Sequence, residues 1–293
     1  MAVALATSDG QQDLRTLLTL GRVSNLPTVW SNCLAGWLLG GGGGAPRFGM
    51  LCLGASCLYL GGMFLNDAFD SEFDRQHRKE RPIPSGAISP SKVWGWGLGW
   101  LVAGMLLLSL LGKTAMVLAL ILGAAILLYD AIHKAVTLSP LLMALCRFLL
   151  YLEAAAATPR GATGLAVWSG LALGIYVVGL SYIARKESVR GPVQTWPCWP
   201  LAAPVVLAWI VNAGQFKIRA LVFALALIAW VAHCLRDTYW GATVSVGRTV
   251  SGLIAGICLV DLLAVAGGTP VTGLIFVLLF VAALLFQRFF PAT

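Results

Sequence analysis

Charge is what this sequence has least of. Of 293 residues, 12 are Asp or Glu and 20 are Lys or Arg, together 11% of the chain. Soluble domains carry about 25%. So few charges cannot coat a globule of this size, which excludes a soluble monomer. Metal-binding cysteine patterns are also missing. The seven cysteines (Cys33, Cys52, Cys57, Cys146, Cys198, Cys234, Cys258) form no CxxC pair, and no Cys/His cluster has ligand spacing. Most lie in apolar segments and read as small buried hydrophobes. Period-2 alternation is absent from the apolar runs, so a transmembrane barrel is excluded as well. Residues 1–21 lack a basic start leading into an apolar core and a cleavage site, so no signal peptide is expected and the first span directs insertion.

What is abundant is hydrocarbon: 59% of the residues are hydrophobic and the mean hydropathy is +0.85. Ten apolar stretches stand out, near 25–42, 48–66, 93–112, 114–130, 139–157, 163–184, 198–213, 218–235, 249–267 and 271–289. The seventh is short, and only Gly267, Gly268, Thr269 and Pro270 separate the last two, so nine spans plus a re-entrant piece fit equally well. Helices satisfy their backbone internally in lipid. The expectation is an all-α, polytopic bundle of about nine, at most ten, transmembrane helices. A cytoplasmic segment, 1–21, precedes a single membrane domain, 22–293.

The net charge of +8 is explained by cytoplasmic loops and anionic lipid headgroups, not by nucleic acid. With the N-terminus inside, fourteen bases fall on the inner side and five on the outer, and Arg147 is left within a span. That asymmetry predicts a cytoplasmic N-terminus. It also gathers three charged loops on one face as a cap: 67–92, 131–138 and 185–197.

The first of these loops carries the chemistry. Asn66-Asp67-Ala68-Phe69-Asp70-Ser71-Glu72-Phe73-Asp74 begins where the second span ends. At about 100° per residue, Asp67, Asp70 and Asp74 fall within roughly 60° of one another on a helix. Three carboxylates on one stripe repel each other, and each is costly near hydrocarbon. Mg²⁺ compensates such a cluster well, because it takes oxygen ligands and joins carboxylates to substrate phosphates. Directly downstream, Arg75-Gln76-His77-Arg78-Lys79-Glu80-Arg81-Pro82-Ile83-Pro84-Ser85-Gly86 supplies bases able to grip phosphate oxygens. Acids for a metal followed by bases for phosphate make a diphosphate site.

These residues resemble those of the UbiA-type intramembrane prenyltransferases. Asn66, Asp67, Asp70 and Asp74 reproduce an NDxxDxxxD pattern, and Arg81 to Gly86 looks like that family's RPIPSG segment. Tyr129 with Lys134 resembles its Tyr-to-Lys element, and Arg22-Val23-Ser24-Asn25-Leu26-Pro27-Thr28 its first-helix entry. The resemblance implies helices around a lipid-open central cavity. It implies an isoprenyl diphosphate bound with Mg²⁺ beneath a cytoplasmic cap and ionised, and an allylic cation passed to a lipophilic acceptor. By this likeness Asn66, Asp67, Asp70 and Asp74 are the catalytic set, with the three aspartates as metal ligands. Arg78, Lys79, Arg81, Lys134, Arg147, Arg185, Lys186 and Arg190 bind diphosphate, and Asn25 and Tyr129 line the cavity.

The pattern breaks after the sixth span. Where the family carries a second acidic motif, this chain reads Ser181-Tyr182-Ile183-Ala184-Arg185-Lys186-Glu187-Ser188-Val189-Arg190. Glu187 is the sole acid there, the one candidate ligand for a second metal, and Arg185, Lys186 and Arg190 are placed to neutralise diphosphate directly. Two functions therefore stay open: prenyl transfer, or isoprenoid or lipid-phosphate binding or transport without catalysis. A CDP-alcohol phosphotransferase is excluded, since Asp9-Gly10 is the only Asp-Gly pair. A soluble isoprenyl synthase is excluded by the absence of DDxxD.

Other polar residues within spans have local readings. Arg147 reaches the diphosphate or pairs with Glu153. Asp130 caps the fourth span or, less favoured, points into the cavity, Asp261 makes an interhelical hydrogen bond, and His133 and His233 sit at interfaces.

Overall fold

The computed structural model describes residues 14–185, 194–214, 216–240 and 245–292, and all regular structure among them is helical. Helix α1, described over 14–20, leads through a 3₁₀ turn (Val23–Asn25) into α2 (Leu26–Leu39). Next come α3 (Ala45–Phe69), the short α4 (Ser71–His77), α5 (Pro90–Ser109) and α6 (Lys113–Ile132). Then follow α7 (Ser139–Ala156) and α8 (Gly164–Ala184). A 3₁₀ segment (Trp196–Ala202) joins α9 (Ala203–Val211), and α10 (Phe216–Tyr239), α11 (Val246–Ala264) and α12 (Pro270–Phe286) complete the chain.

The helix starts are written locally. Pro27, Pro46, Pro90, Pro140, Pro204 and Pro270 each stand in a first turn, where the missing N–H has no intrahelical partner to lose. Thr163 and Thr269 cap α8 and α12, their Oγ1 atoms accepting from Ala166 N and Thr272 N at 3.2 Å.

Seven helices are long and apolar enough to cross a bilayer: α3, α5, α6, α7, α8, α10 and α11. The remaining three of the ten expected stretches form shorter helices. α2 has 14 residues, Trp196–Val211 is broken into a 3₁₀ and an α part around Pro200, and α12 has 17. At about 1.5 Å per residue, α2 reaches roughly 21 Å, short of a hydrocarbon core of about 30 Å. Among the described residues, then, seven of the expected spans are full-length helices and the others are shorter apolar ones.

α2 is short because it is interior. It packs against α3, α7, α11 and α12, and nine of its residues are buried. One apolar core joins α2 and α7 to α3, α5 and α6, and a second joins α7 and α8 to α10 and α11. α3 and α5 approach most closely, backbone on backbone, because Gly54 and Gly61 face Gly97 and Gly104. A methyl group on Gly61 would lie 2.7 Å from Leu101 N, and one on Gly104 2.7 Å from Leu58 N. That close pairing fixes the end of α3, and with it the acidic motif, against the start of the 82–88 loop.

Gly61→Ala should therefore destabilise the protein by about 1–3 kcal/mol through overpacking. Gly95→Ala, where an added methyl meets nothing within 4 Å, should hold or slightly raise stability. Thermal unfolding of the detergent-solubilised variants checks the contrast.

Candidate functional site

α3 does not stop at its last apolar residue. Asp70 N donates to Asn66 O at 3.0 Å and Asp74 N to Asp70 O at 2.9 Å, so the helical path runs through the junction into α4. The three aspartates keep their common side and are all buried, at 7%, 6% and 1% exposure, whereas Glu72 on the other side pairs with exposed Arg75 in solvent.

Burying three carboxylates together is tolerated because cations interleave them. Arg22 Nη2 lies 3.1 Å from Asp67 Oδ1. Arg81 Nη1 bridges Asp67 Oδ1 at 3.2 Å and Asp74 Oδ2 at 3.0 Å. Lys134 Nζ lies 2.8 Å from Asp70 Oδ1, which also faces His133 Nε2 at 3.4 Å. Burial by itself would raise the Asp70 carboxyl, but hydrogen bonds from His133 and Lys134 outweigh it and hold the group below its ordinary value. The same contact lifts His133 above its ordinary value against the opposite effect of burial.

Each cation is delivered by a local device. Arg22 adopts a left-handed backbone (φ 41°), rare outside glycine, which turns the chain from α1 into the 3₁₀ turn. Its Nη1 also donates to Met63 Sδ at 3.4 Å. Arg81 opens a compact loop anchored by Ile83, which is buried with Leu20, Phe64, Ala68 and Val93. Gly86 (φ 80°) reverses that loop. Lys134 follows the end of α6, and its ammonium sits 3.8 Å from the centre of the Phe73 ring.

Inward of this cluster lies a cavity of about 620 Å³, counted to its open mouth, between α2, α3, α6 and α7. Its lining is mostly apolar, including Leu58, Met63 and Ile126, with Tyr59, Tyr129, Asp130 and Arg147 as polar members. Asn66 Nδ2 donates to Asp130 Oδ1 at 3.1 Å, joining the acidic stripe directly to the cavity wall. Asp130 was expected to cap α6. It instead turns inward to Asn66, because burial leaves that amide as its hydrogen-bond partner.

The other expected residues divide. Lys79 is exposed, and Arg78 closes α4 by donating its backbone N–H to Asp74 O at 2.8 Å. Arg185 is spent on the 131–138 loop, donating to Thr137 O at 2.8 Å, Val136 O at 3.1 Å and Ser139 Oγ at 3.2 Å. Lys186, Glu187 and Arg190 lie outside the described residues, as does much of the 185–197 loop. Asn25 Nδ2 donates to Ala292 O at 3.0 Å, toward the C-terminal residues. Arg147 hydrogen-bonds Asn32 and Thr28 and none of the three aspartates, and both oxygens of Glu153 are buried without a partner, so the alternative Arg147–Glu153 pair does not form. Asp261 does bond between helices, accepting from Ser31 Oγ and Asn32 Nδ2 of α2. Two site residues escaped the sequence reading. Arg22 stood there as a topology and entry residue, and His133 as an interfacial one. Their only sequence signal is distance: both sit within a few residues of a span end on the same face as the aspartates.

Among the described residues no three Asp, Glu, His or Cys side chains converge into a ready-made metal cage, because Arg22, Arg81 and Lys134 occupy the gaps. The donor set nevertheless suits Mg²⁺. It consists of carboxylate oxygens, and Asp74 Oδ1 is buried with no hydrogen-bond partner. A hard cation that retains substrate phosphates among its ligands fits such an open set better than one needing a closed cage.

Arg81→Gln should cost on the order of 3 kcal/mol, since it strips compensation from two buried carboxylates at once. Adding Asp74→Asn should recover part of that loss. A double-mutant cycle on thermal unfolding should give a coupling of at least about 1 kcal/mol, and strictly additive effects would contradict the bridge.

The model of the "UbiA prenyltransferase family" matches residues 26–199, from the start of α2 into the 3₁₀ segment before α9. A digeranylgeranylglyceryl phosphate synthase of Methanothrix thermoacetophila is 32% identical over 118 residues, 40% of this chain and 44% of that protein. The chain thus spans less than half the length of such curated relatives. Among solved structures, one described as a UbiA homolog from Archaeoglobus fulgidus bound to GPP and Mg²⁺ aligns with TM-score 0.62 at 14% identity, over 93% of this chain and 99% of that one. Another, described as giving insights into digeranylgeranylglyceryl phosphate synthase in membranes, aligns with TM-score 0.62 at 17% identity, over 92% and 98%. Those two likenesses carry the fold alone. With more than half of its length matched by the family model, acidic stripe included, the chain belongs to the UbiA prenyltransferase family.

Proposed function

We propose that this protein is an integral-membrane prenyltransferase. It moves an isoprenyl group from an isoprenyl diphosphate to an aromatic, quinone-precursor or other lipophilic acceptor, with Mg²⁺, at the cytoplasmic face of a multi-pass bundle. The observation that carries this reading is the cluster of three buried aspartates and three cations at the mouth of an apolar cavity. The name of the Methanothrix relative and the GPP and Mg²⁺ of the Archaeoglobus homolog support the same donor chemistry. The positive-inside asymmetry supports the orientation.

Asp67, Asp70 and Asp74 are the residues that hold Mg²⁺, which when bound supplies charge neutralisation for a leaving diphosphate. Arg22, Arg81 and Lys134 turn from the aspartates to diphosphate oxygens, which accept charge-assisted hydrogen bonds as readily as carboxylates do. Arg78, Lys79, Arg185, Lys186 and Arg190 are the further candidates for diphosphate oxygens that the sequence offers. As the allylic C–O bond breaks, negative charge grows on the diphosphate, and cations already in place favour that state over the intact ester. The isoprenyl tail enters the cavity, where each buried CH₂ contributes about 0.8 kcal/mol. The apolar walls shield the cationic carbon from water. Asn66 braces the stripe against Asp130.

The test is release of diphosphate from labelled geranyl and longer isoprenyl diphosphates by the purified protein with Mg²⁺ and a panel of acceptors. Asp67→Asn and Asp70→Asn should each lower release by about 100-fold or more, and chelation of Mg²⁺ should abolish it. Tight retention of every donor with no release, across acceptors, would instead establish a lipid-phosphate binding or transport protein on this fold.

A further inference from the structure

Arg147 has no part in the diphosphate cluster, yet it is the one cation among the described residues that lines the cavity. It stands on α7 inside a span, where an ionisable group faces a partner or a water-accessible cavity. Its guanidinium is held in place from one side. Nη1 donates to Asn32 Oδ1 at 2.7 Å and Nη2 to Thr28 Oγ1 at 3.1 Å, both from the first turns of α2. Asn32 is itself fixed, since its Nδ2 donates at 2.7 Å to Asp261 Oδ2 on α11, which also accepts from Ser31 Oγ. All three of those partners are fully buried.

The chain of contacts has a specific electrostatic consequence. A neutral amide separates Arg147 from Asp261, and no direct ion pair joins them. Asp261 therefore reaches Arg147 only through that amide and does not occupy the guanidinium. Two of its five donors are used on the α2 side, and the same side chain lines the cavity. A half-buried arginine braced this way at a cavity wall matches an anion with several oxygens.

We infer that Arg147 is a second anion-binding subsite, distinct from the diphosphate cluster, that receives the headgroup of an anionic acceptor such as a phosphate monoester. The inference rests on the prenyl-transfer reading for its purpose and narrows the acceptor class of that reading. Asn32, Thr28 and Asp261 are positioning residues: they aim the guanidinium and touch no substrate themselves. Holding the acceptor by its anion here sets its nucleophilic end in the same cavity as the isoprenyl tail, and a neutral alcohol of equal length gains no such anchor.

The experiment uses the full chain in detergent micelles. n-Decyl phosphate and n-decanol are titrated without Mg²⁺, and geranyl diphosphate is titrated with it. Decyl phosphate should bind at least tenfold more tightly than decanol. Arg147→Gln should weaken decyl phosphate at least tenfold and change geranyl diphosphate less than twofold, while Arg81→Gln should do the reverse. A readout that needs no variant accompanies these titrations: in the wild-type chain, decyl phosphate should protect Arg147 from phenylglyoxal, read by mass spectrometry, and decanol should not. Equal affinity for phosphate and alcohol, equal protection by both, or loss of both anionic ligands in the same variant would overturn the subsite. Failure of the wild-type chain to retain geranyl diphosphate with Mg²⁺ would count against the prenyl-transfer reading instead.

Discussion

Three carboxylates at the edge of an apolar bundle repel one another, and their compensation organises one end of this molecule. The cations come from three separate places: Arg22 before the first 3₁₀ turn, Arg81 in the loop after α4, and Lys134 after α6. Satisfying Asp67, Asp70 and Asp74 therefore draws the start of α2, the end of α3 and the end of α6 together. The cavity opens where those ends converge. In the proposed function the same compensation prepares the site for its ligand. Under that function, a divalent cation and a diphosphate would bring charge of both signs, and carboxylates and cations would exchange partners so that neither is left bare. Pre-placed charge of this kind needs little reorganisation during bond cleavage.

α2 carries a second polar layer. It packs against α3, α7, α11 and α12, and Thr28, Ser31 and Asn32 lie along it between α7 and α11. Polar side chains in a lipid-embedded bundle are tolerated where they satisfy each other, and these do so through Arg147 and Asp261. The cavity is thus polar at two levels and apolar along its remaining wall, an arrangement suited to two amphipathic substrates.

Much of this was legible from the residues alone. The all-α membrane class followed from scarce charge and long apolar runs, and each of the ten stretches contains a helix. The single face of Asp67, Asp70 and Asp74 followed from helical period, and the helical path through Asp70 preserves it. Span length was less legible, because hydropathy cannot distinguish a helix that crosses lipid from one such as α2 that is buried among others. Partner identity was the least legible. Arg22 and Asp67 are 45 positions apart, and Asn32 and Arg147 115 apart, so their pairing depends on packing that no local pattern encodes. Asp130 was misread for the same reason: its position near a helix end suggested a cap, and only tertiary contact supplied Asn66.

The central claim is that Arg81 guards the aspartates until a diphosphate takes it over. A structure of the protein with Mg²⁺ and a non-hydrolysable geranyl thiodiphosphate tests this most directly. The Arg81–Asp74 pair, 3.0 Å apart in the free chain, should be open, with a phosphate oxygen on the guanidinium and the aspartates turned to the metal. A diphosphate seated elsewhere, with both Arg81 bridges intact, would contradict the account.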